Sequence, residues 1–193
     1  MSVASAARRR TAAPVTAYIG LGANLGDVQA TLDAAFFAIA SLPGTTVLAA
    51  SSLYRSAPVD AAGPDYLNAA MAIRTRLAPS SLLAALQRIE RQHGRERSYR
   101  NAPRTLDLDL LLYGDAQISE PRLTVPHPRL AQRAFVLRPL AEIDSGLLIP
   151  GSGRVAGLLA AVSDQPVSRL PAQASAAPGA SQGLVLPRSE SSA

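Results

Sequence analysis

The chain has 193 residues, a net charge of +5 and 48% hydrophobic residues, enough for one ordinary domain with its own core. It holds no cysteine, which excludes disulfides, thiolate nucleophiles and cysteine-ligated metals. Lysine is also absent, so phosphate-loop, Schiff-base and protein-kinase lysine chemistry are excluded, and any bound anion must be met by arginine.

Residues 1–14 carry Arg8, Arg9 and Arg10, but no apolar run of signal-peptide length follows. Secretion is not expected, although the Arg-, Ser- and Ala-rich composition is also that of a short organelle transit peptide. The stretch is read as a disordered extension. The β-branched and aromatic run 15–21 predicts a first strand. From 27 to 41, Leu32, Ala35, Phe36 and Ile39 recur at helical spacing, and Pro43-Gly44 ends that helix. Gly20, Gly22 and Gly26 lie between the two, with the third glycine one place too late for a dinucleotide loop. A tight strand-to-helix turn, capped by Asn24 or Asp27, accounts for them better.

Residues 45–54 predict a second strand and 67–77 a third. Pro79, at a favourable helix-start position, opens a second helix whose buried face is Leu82, Leu83, Leu86 and Ile89, closed by Gly94. Residues 98–103 predict a loop and 106–113 the clearest strand, which Gly114-Asp115 turns toward a short returning strand near Gln117-Ile118. A short helix broken by Pro139 is expected within 131–142.

The order β-α-β-β-α-β predicts an α+β fold on the ferredoxin-like plan: an antiparallel sheet with helices on one face, the other face free for a site. An extra short hairpin and a short C-terminal helix complete it. The domain is expected to span 15–162. From 163 to 193 the composition turns to Ala, Ser, Pro, Gly and Gln, too poor in large apolar groups to offset ordering entropy, which predicts a disordered tail. No apolar run nears the ~20 residues needed to span a bilayer, so a cytoplasmic chain with no membrane contact is expected.

The chemistry concentrates in Pro103-Arg104-Thr105-Leu106-Asp107-Leu108-Asp109-Leu110. On a strand, Asp107 and Asp109 point the same way, ~7 Å apart, while the leucines point into the core. Two such carboxylates suit Mg²⁺, which takes one or two carboxylates plus substrate phosphate oxygens. In isolation the pair could equally be two solvated aspartates on an exposed strand. The arginines before it decide between these: Arg95, Arg97 and Arg104 are phosphate candidates, because phosphates bridged to Mg²⁺ need acidic metal ligands beside basic clamps. Arg88 and Arg91 are read as a solvated helix end. Tyr66, Asn68 and Phe135 could stack on and hydrogen-bond a flat heterocycle, or be core.

These segments together resemble the 6-hydroxymethyl-7,8-dihydropterin pyrophosphokinase family of folate biosynthesis. The resemblance rests on Tyr18-Ile-Gly-Leu-Gly-Ala-Asn24-Leu25, Ser51-Ser-Leu-Tyr54-Arg55, Asp65-Tyr66-Leu67-Asn68, Gln87-Arg-Ile-Glu90, the Pro103 to Asp109 string, Thr124-Val-Pro-His127 and Arg133-Ala-Phe135, in family order. It implies transfer of the terminal diphosphate of ATP to the pterin hydroxymethyl group, with release of AMP. It further implies that Asp107 and Asp109 bind two Mg²⁺ ions, and that Arg95 and Arg104 contact the phosphates from a closing loop. Gln87, Glu90, His127 and Arg133 would belong to the nucleotide site, with Leu83, Leu110, Leu123 and Thr124 around the base. The pterin would lie between Tyr66 and Phe135, bonded by Asn68 and by backbone around Ser56, Ala57 and Val59. A monomer that binds no nucleic acid is expected; a ferredoxin-like RNA-binding module and another Mg²⁺-dependent nucleotidyl enzyme are the competing readings.

Overall fold

The computed structural model describes residues 13–58, 63–94 and 105–171. Its centre is an antiparallel sheet. Strand β1 (Val15–Ala23) pairs with β4 (Tyr66–Thr75) on one side and with the edge strand β5 (Asp107–Tyr113) on the other. The far edge of β4 carries β2 (Thr45–Ala50) and β3 (Tyr54–Ser56) end to end, and β10 (Val167–Arg169) extends the sheet beyond β3.

Helices α1 (Val28–Ala40) and α2 (Pro79–Gln92) cover one face. Asp27 is the cap of α1, accepting the Ala30 N–H at 3.0 Å, whereas the Asn24 amide donates to the Pro64 carbonyl at 3.2 Å. Pro79 opens α2, where its missing N–H has no partner to lose. Leu32 and Ile39 of α1 and Leu82, Leu86 and Ile89 of α2 close over Ile19, Leu21, Ile73, Leu108 and Leu110. Full burial of each such side chain stabilises by about 1.5–3 kcal/mol.

The opposite face is not left open. A 3-10 turn (Leu130–Gln132), α3 (Ala134–Ile143) and α4 (Val155–Ala161) place Leu130, Leu137, Leu140 and Val155 against Ala70, Leu111 and Leu112. Pro139 sits inside α3 without breaking it; burial of Leu137 and Leu140 beside it outweighs the one backbone hydrogen bond its ring removes. The roof covers one end of the sheet and leaves the end bearing Asp107 and Asp109 accessible.

Two shorter hairpins flank the sheet: β6 (Ile118–Glu120) with β7 (Leu123–Val125), and β8 (Leu148–Ile149) with β9 (Gly153–Arg154). The returning strand expected near Gln117-Ile118 therefore pairs with β7 and not with β5. The single strand expected over 45–54 is two, because Ser51 interrupts the ladder: its hydroxyl accepts the Ala70 N–H at 2.9 Å. Gly20 and Gly22 lie within β1 and not in a turn. The stretch expected to lack structure from 163 onward contains β10, held by pairing at a sheet edge, a source of order that counting large apolar residues does not capture. Among the described residues no helix is long and apolar enough to cross a membrane.

Candidate active site

The site is built on the sheet register. Asp107 stands opposite Gly22, which stands opposite Asn68; Asp109 stands opposite Gly20. Leu106, Leu108 and Leu110 are 0%, 3% and 3% exposed, while the two aspartates are half-buried and face the other way, as strand alternation dictates. A register shift between Tyr18 and Ile19 makes Leu111 an extra residue, so Leu111 and Leu112 both pack toward α3.

Above this floor lies a cleft of about 190 Å³. The missing side chain of Gly22 helps keep it open. A Cβ on Gly22 would stand 3.4 Å from Asn68 Oδ1, and one on Gly20 would stand 3.3 Å from Leu111 Cδ1. Asn68 Oδ1 is the one neighbour a Cβ on Gly22 would meet within 4 Å, so the space above Gly22 is available to a ligand, whereas the Leu111 side chain fills the space beside Gly20.

One wall comes from β3 and β4: Ser56, Ala57, Tyr66 and Asn68. Asn68, 5% exposed, donates from Nδ2 to Ser56 Oγ at 3.0 Å, which fixes the amide with Oδ1 over Gly22. The other wall is Arg133, Phe135 and Val136 at the start of α3, together with His127 and Arg129. The Arg133 guanidinium carbon sits 5.3 Å from the Phe135 ring centroid, within cation–π range.

His127 Nδ1 accepts the Arg129 N–H at 3.3 Å, so the neutral ring carries its proton on Nε2, which faces Asp109 Oδ2 at 4.0 Å. Burial pushes the His127 pKa down; Asp109 pulls against that, and Arg133 and Arg129 add to it. The imidazole is thus held in the form that can donate to an oxygen without adding charge.

Of the residues singled out from sequence, Ser56, Ala57, Tyr66, Asn68, Asp107, Asp109, His127, Arg133 and Phe135 all line this cleft. Val59, Arg95, Arg97 and Arg104 lie outside the described residues. The remaining six do not line it. Leu83, Gln87 and Glu90 on α2, and Leu123 and Thr124 on β7, belong to elements that contact β5, and the Leu110 side chain is in the core beneath it. Leu123 is buried as well.

Glu90 is a buried carboxylate with a backbone partner on β5. It is 2% exposed, and its Oε1 accepts the Leu108 N–H at 2.8 Å, a donor that β1 does not reach. The carboxylate thereby ties α2 to the strand that carries both aspartates. Glu90→Ala is expected to lower stability by about 1–3 kcal/mol, the cost of leaving a buried N–H unmet, as measured by urea unfolding.

Gly20, Gly22, Arg129 and Val136 are site residues that the sequence reading missed. The glycines carried a usable signal, since their spacing of two matches that of the aspartates. Arg129 and Val136 carried none, because only the packing of α3 on the sheet brings them in.

The donor set fits Mg²⁺: two hard carboxylates on one face of a cleft, leaving the ion's other positions to phosphate oxygens and water.

The family model for 7,8-dihydro-6-hydroxymethylpterin-pyrophosphokinase (HPPK) matches residues 18–145. A Pseudomonas aeruginosa protein named 2-amino-4-hydroxy-6-hydroxymethyldihydropteridine pyrophosphokinase is 44% identical over 155 residues, 80% of this chain and 96% of its own. A Haemophilus influenzae protein of the same name is 45% identical over 157 residues, 81% of this chain and 98% of its own. The fold is shared with a crystal structure of Plasmodium falciparum HPPK-DHPS with pterin and p-hydroxybenzoate, at TM-score 0.64 and 14% identity. That alignment covers 81% of this chain and 45% of the other, so this chain spans less than half of that protein. With residues 18–145 matched by the family model and nearly the full length of the bacterial relatives covered, this chain belongs to the 7,8-dihydro-6-hydroxymethylpterin-pyrophosphokinase family.

Proposed function

We propose that the cleft over Gly20, Gly22, Asp107 and Asp109 is where this chain performs the family's reaction. In that reaction the terminal diphosphate of ATP moves to the hydroxymethyl group of 6-hydroxymethyl-7,8-dihydropterin, a step of folate biosynthesis. The pterin hydroxyl oxygen attacks the β-phosphorus and gives up its proton to solvent, the bond between that phosphorus and the oxygen bridging it to the α-phosphorus breaks, and AMP leaves with the electron pair. The observation that carries the reading is the register itself: both aspartates share one face with two glycines, beside an asparagine whose amide is already oriented.

Asp107 and Asp109 would hold two Mg²⁺ ions. Bound there, Mg²⁺ supplies charge neutralisation to the polyphosphate and lowers the pKa of an oxygen it touches. The chain's own residues do the rest by positioning and electrostatics. Asn68 Oδ1 accepts from the pterin's N–H groups, with Tyr66 and Phe135 against its faces and the backbone of Ser56, Ala57 and Val59 along its edge. Arg133 and the Nε2–H of His127 donate to phosphate oxygens, joined by Arg95, Arg97 and Arg104. The base lies at the β5 edge, between Leu83, Gln87 and Glu90 on one side and Leu123 and Thr124 on the other, where Leu110 and Glu90 act through the strand they hold. Contact of both α2 and β7 with β5 supports that placement.

The strand order β2, β4, β1, β5, with α1 and α2 on one face, supports the ferredoxin-like reading of the core. Cytoplasmic location and a monomeric state belong to the same proposal, and sedimentation of the purified chain tests the second. Two carboxylates on the cleft floor oppose a nucleic-acid backbone there. Incubation with ATP, Mg²⁺ and 6-hydroxymethyl-7,8-dihydropterin is expected to yield AMP and pterin diphosphate in equal amounts. ADP, or free pyrophosphate without pterin diphosphate, would contradict the assignment.

A further inference from the structure

The first helical N–H groups of α3 need acceptors, and its own N-cap residue, Arg133, supplies no side-chain bond. Gln165 supplies one from beyond α4. Its Oε1 accepts the Ala134 N–H at 2.8 Å, and its Nε2 donates to the Gln132 carbonyl at 2.9 Å. These two peptide groups flank Arg133, so a single amide fixes the backbone on both sides of a cleft residue and, two residues on, sets the approach of Phe135.

The same segment reaches the opposite wall. In β10, Val167 pairs with Ser56 and Arg169 with Tyr54. The Arg169 guanidinium donates to Ser52 Oγ and to Glu142 Oε1, both at 2.8 Å. Glu142, near the end of α3, also accepts the Tyr54 hydroxyl at 2.8 Å and the Ser52 hydroxyl at 2.8 Å. Burial alone would raise the Glu142 pKa, but these bonds and Arg169 outweigh it and hold the carboxyl below its usual range. Tyr54 is pushed up to about 12 by burial and by Glu142.

The geometry points to Gln165 as a positioning residue for the Arg133 and Phe135 wall, within a strap over 165–169 that ties α3 to β3 and so sets the width of the cleft. Gln165 lines no part of the cleft, and its effect passes through the backbone it holds. The inference rests on the cleft being the active site, and its test separates the two.

Gln165→Met keeps length and bulk but removes both hydrogen bonds. It is expected to raise KM for the pterin and ATP roughly 10-fold, since a displacement well under 1 Å of a positioned group suffices for that, with the melting temperature within a few degrees of wild type. Gln165→Glu keeps the acceptor for Ala134 but turns an oxygen in place of the donor toward the Gln132 carbonyl, and should recover part of the loss, to a KM defect of about 3- to 5-fold. Wild-type kinetics in Gln165→Met would overturn the proposal. So would equal defects in the Met and Glu variants that track a fall in melting temperature, the mark of a purely structural role. Arg133→Ala is measured alongside. If it is impaired while Gln165→Met is not, positioning fails and the cleft assignment stands; if Arg133→Ala is itself unimpaired, both fail.

Discussion

Alanine at Asp107 or Asp109 is expected to lower kcat at least ~100-fold, the range seen when metal ligands or preorganised electrostatic groups are removed. The fold should survive the change. Both side chains stand outside the two cores, on the cleft face of an edge strand, and the residues that anchor that strand are Leu106, Leu108 and Leu110. Asparagine should be nearly as damaging as alanine, because the loss is of charge and not of shape. Steady-state turnover at saturating Mg²⁺, with circular dichroism as a control on folding, checks this. Turnover within a few fold of wild type in both alanine variants would remove the aspartates from the mechanism.

The second large effect is expected at a residue with no side chain. Gly22→Val places a branched group between Asp107 and Asn68, in the space a pterin would occupy. Valine favours strands, and the nearest atom a Cβ would meet is Asn68 Oδ1 at 3.4 Å, so stability should be unchanged or slightly raised. Pterin affinity should fall ~10- to 100-fold, the scale on which pocket shape discriminates one or two carbon atoms. Titration of a fluorescent pterin analogue into both proteins, with thermal unfolding in parallel, separates a blocked cleft from a damaged fold. Unchanged affinity would mean the ligand does not lie over β1.

Much of this site was legible in the sequence because alternation on a strand is local. Asp107 and Asp109 were bound to share a face once Leu106, Leu108 and Leu110 were assigned to the core, and the structure puts all five where that argument required. Gly20 and Gly22 obey the same period of two but sit before a helix, where glycine is ordinarily read as turn chemistry; the strand runs on to Ala23 and the turn waits for Gly26, at φ 70°. Ser51 broke a strand that composition made continuous, since a side-chain hydroxyl substituting in a ladder leaves no compositional trace. Gln165 and Arg169 act through pairing and hydrogen bonds over 31 and 117 residues of sequence separation, which no local pattern encodes.

Manganese paramagnetism gives the most direct test of the central claim, that the two β5 carboxylates hold divalent ions against the polyphosphate. Mn²⁺ would be titrated, by electron paramagnetic resonance, into the chain saturated with a non-hydrolysable ATP analogue. Wild type should bind two ions per chain, and Asp107→Asn and Asp109→Asn should each weaken or lose a site. Two undiminished sites in both variants would show that the ions are held elsewhere, and the account of the cleft would be wrong.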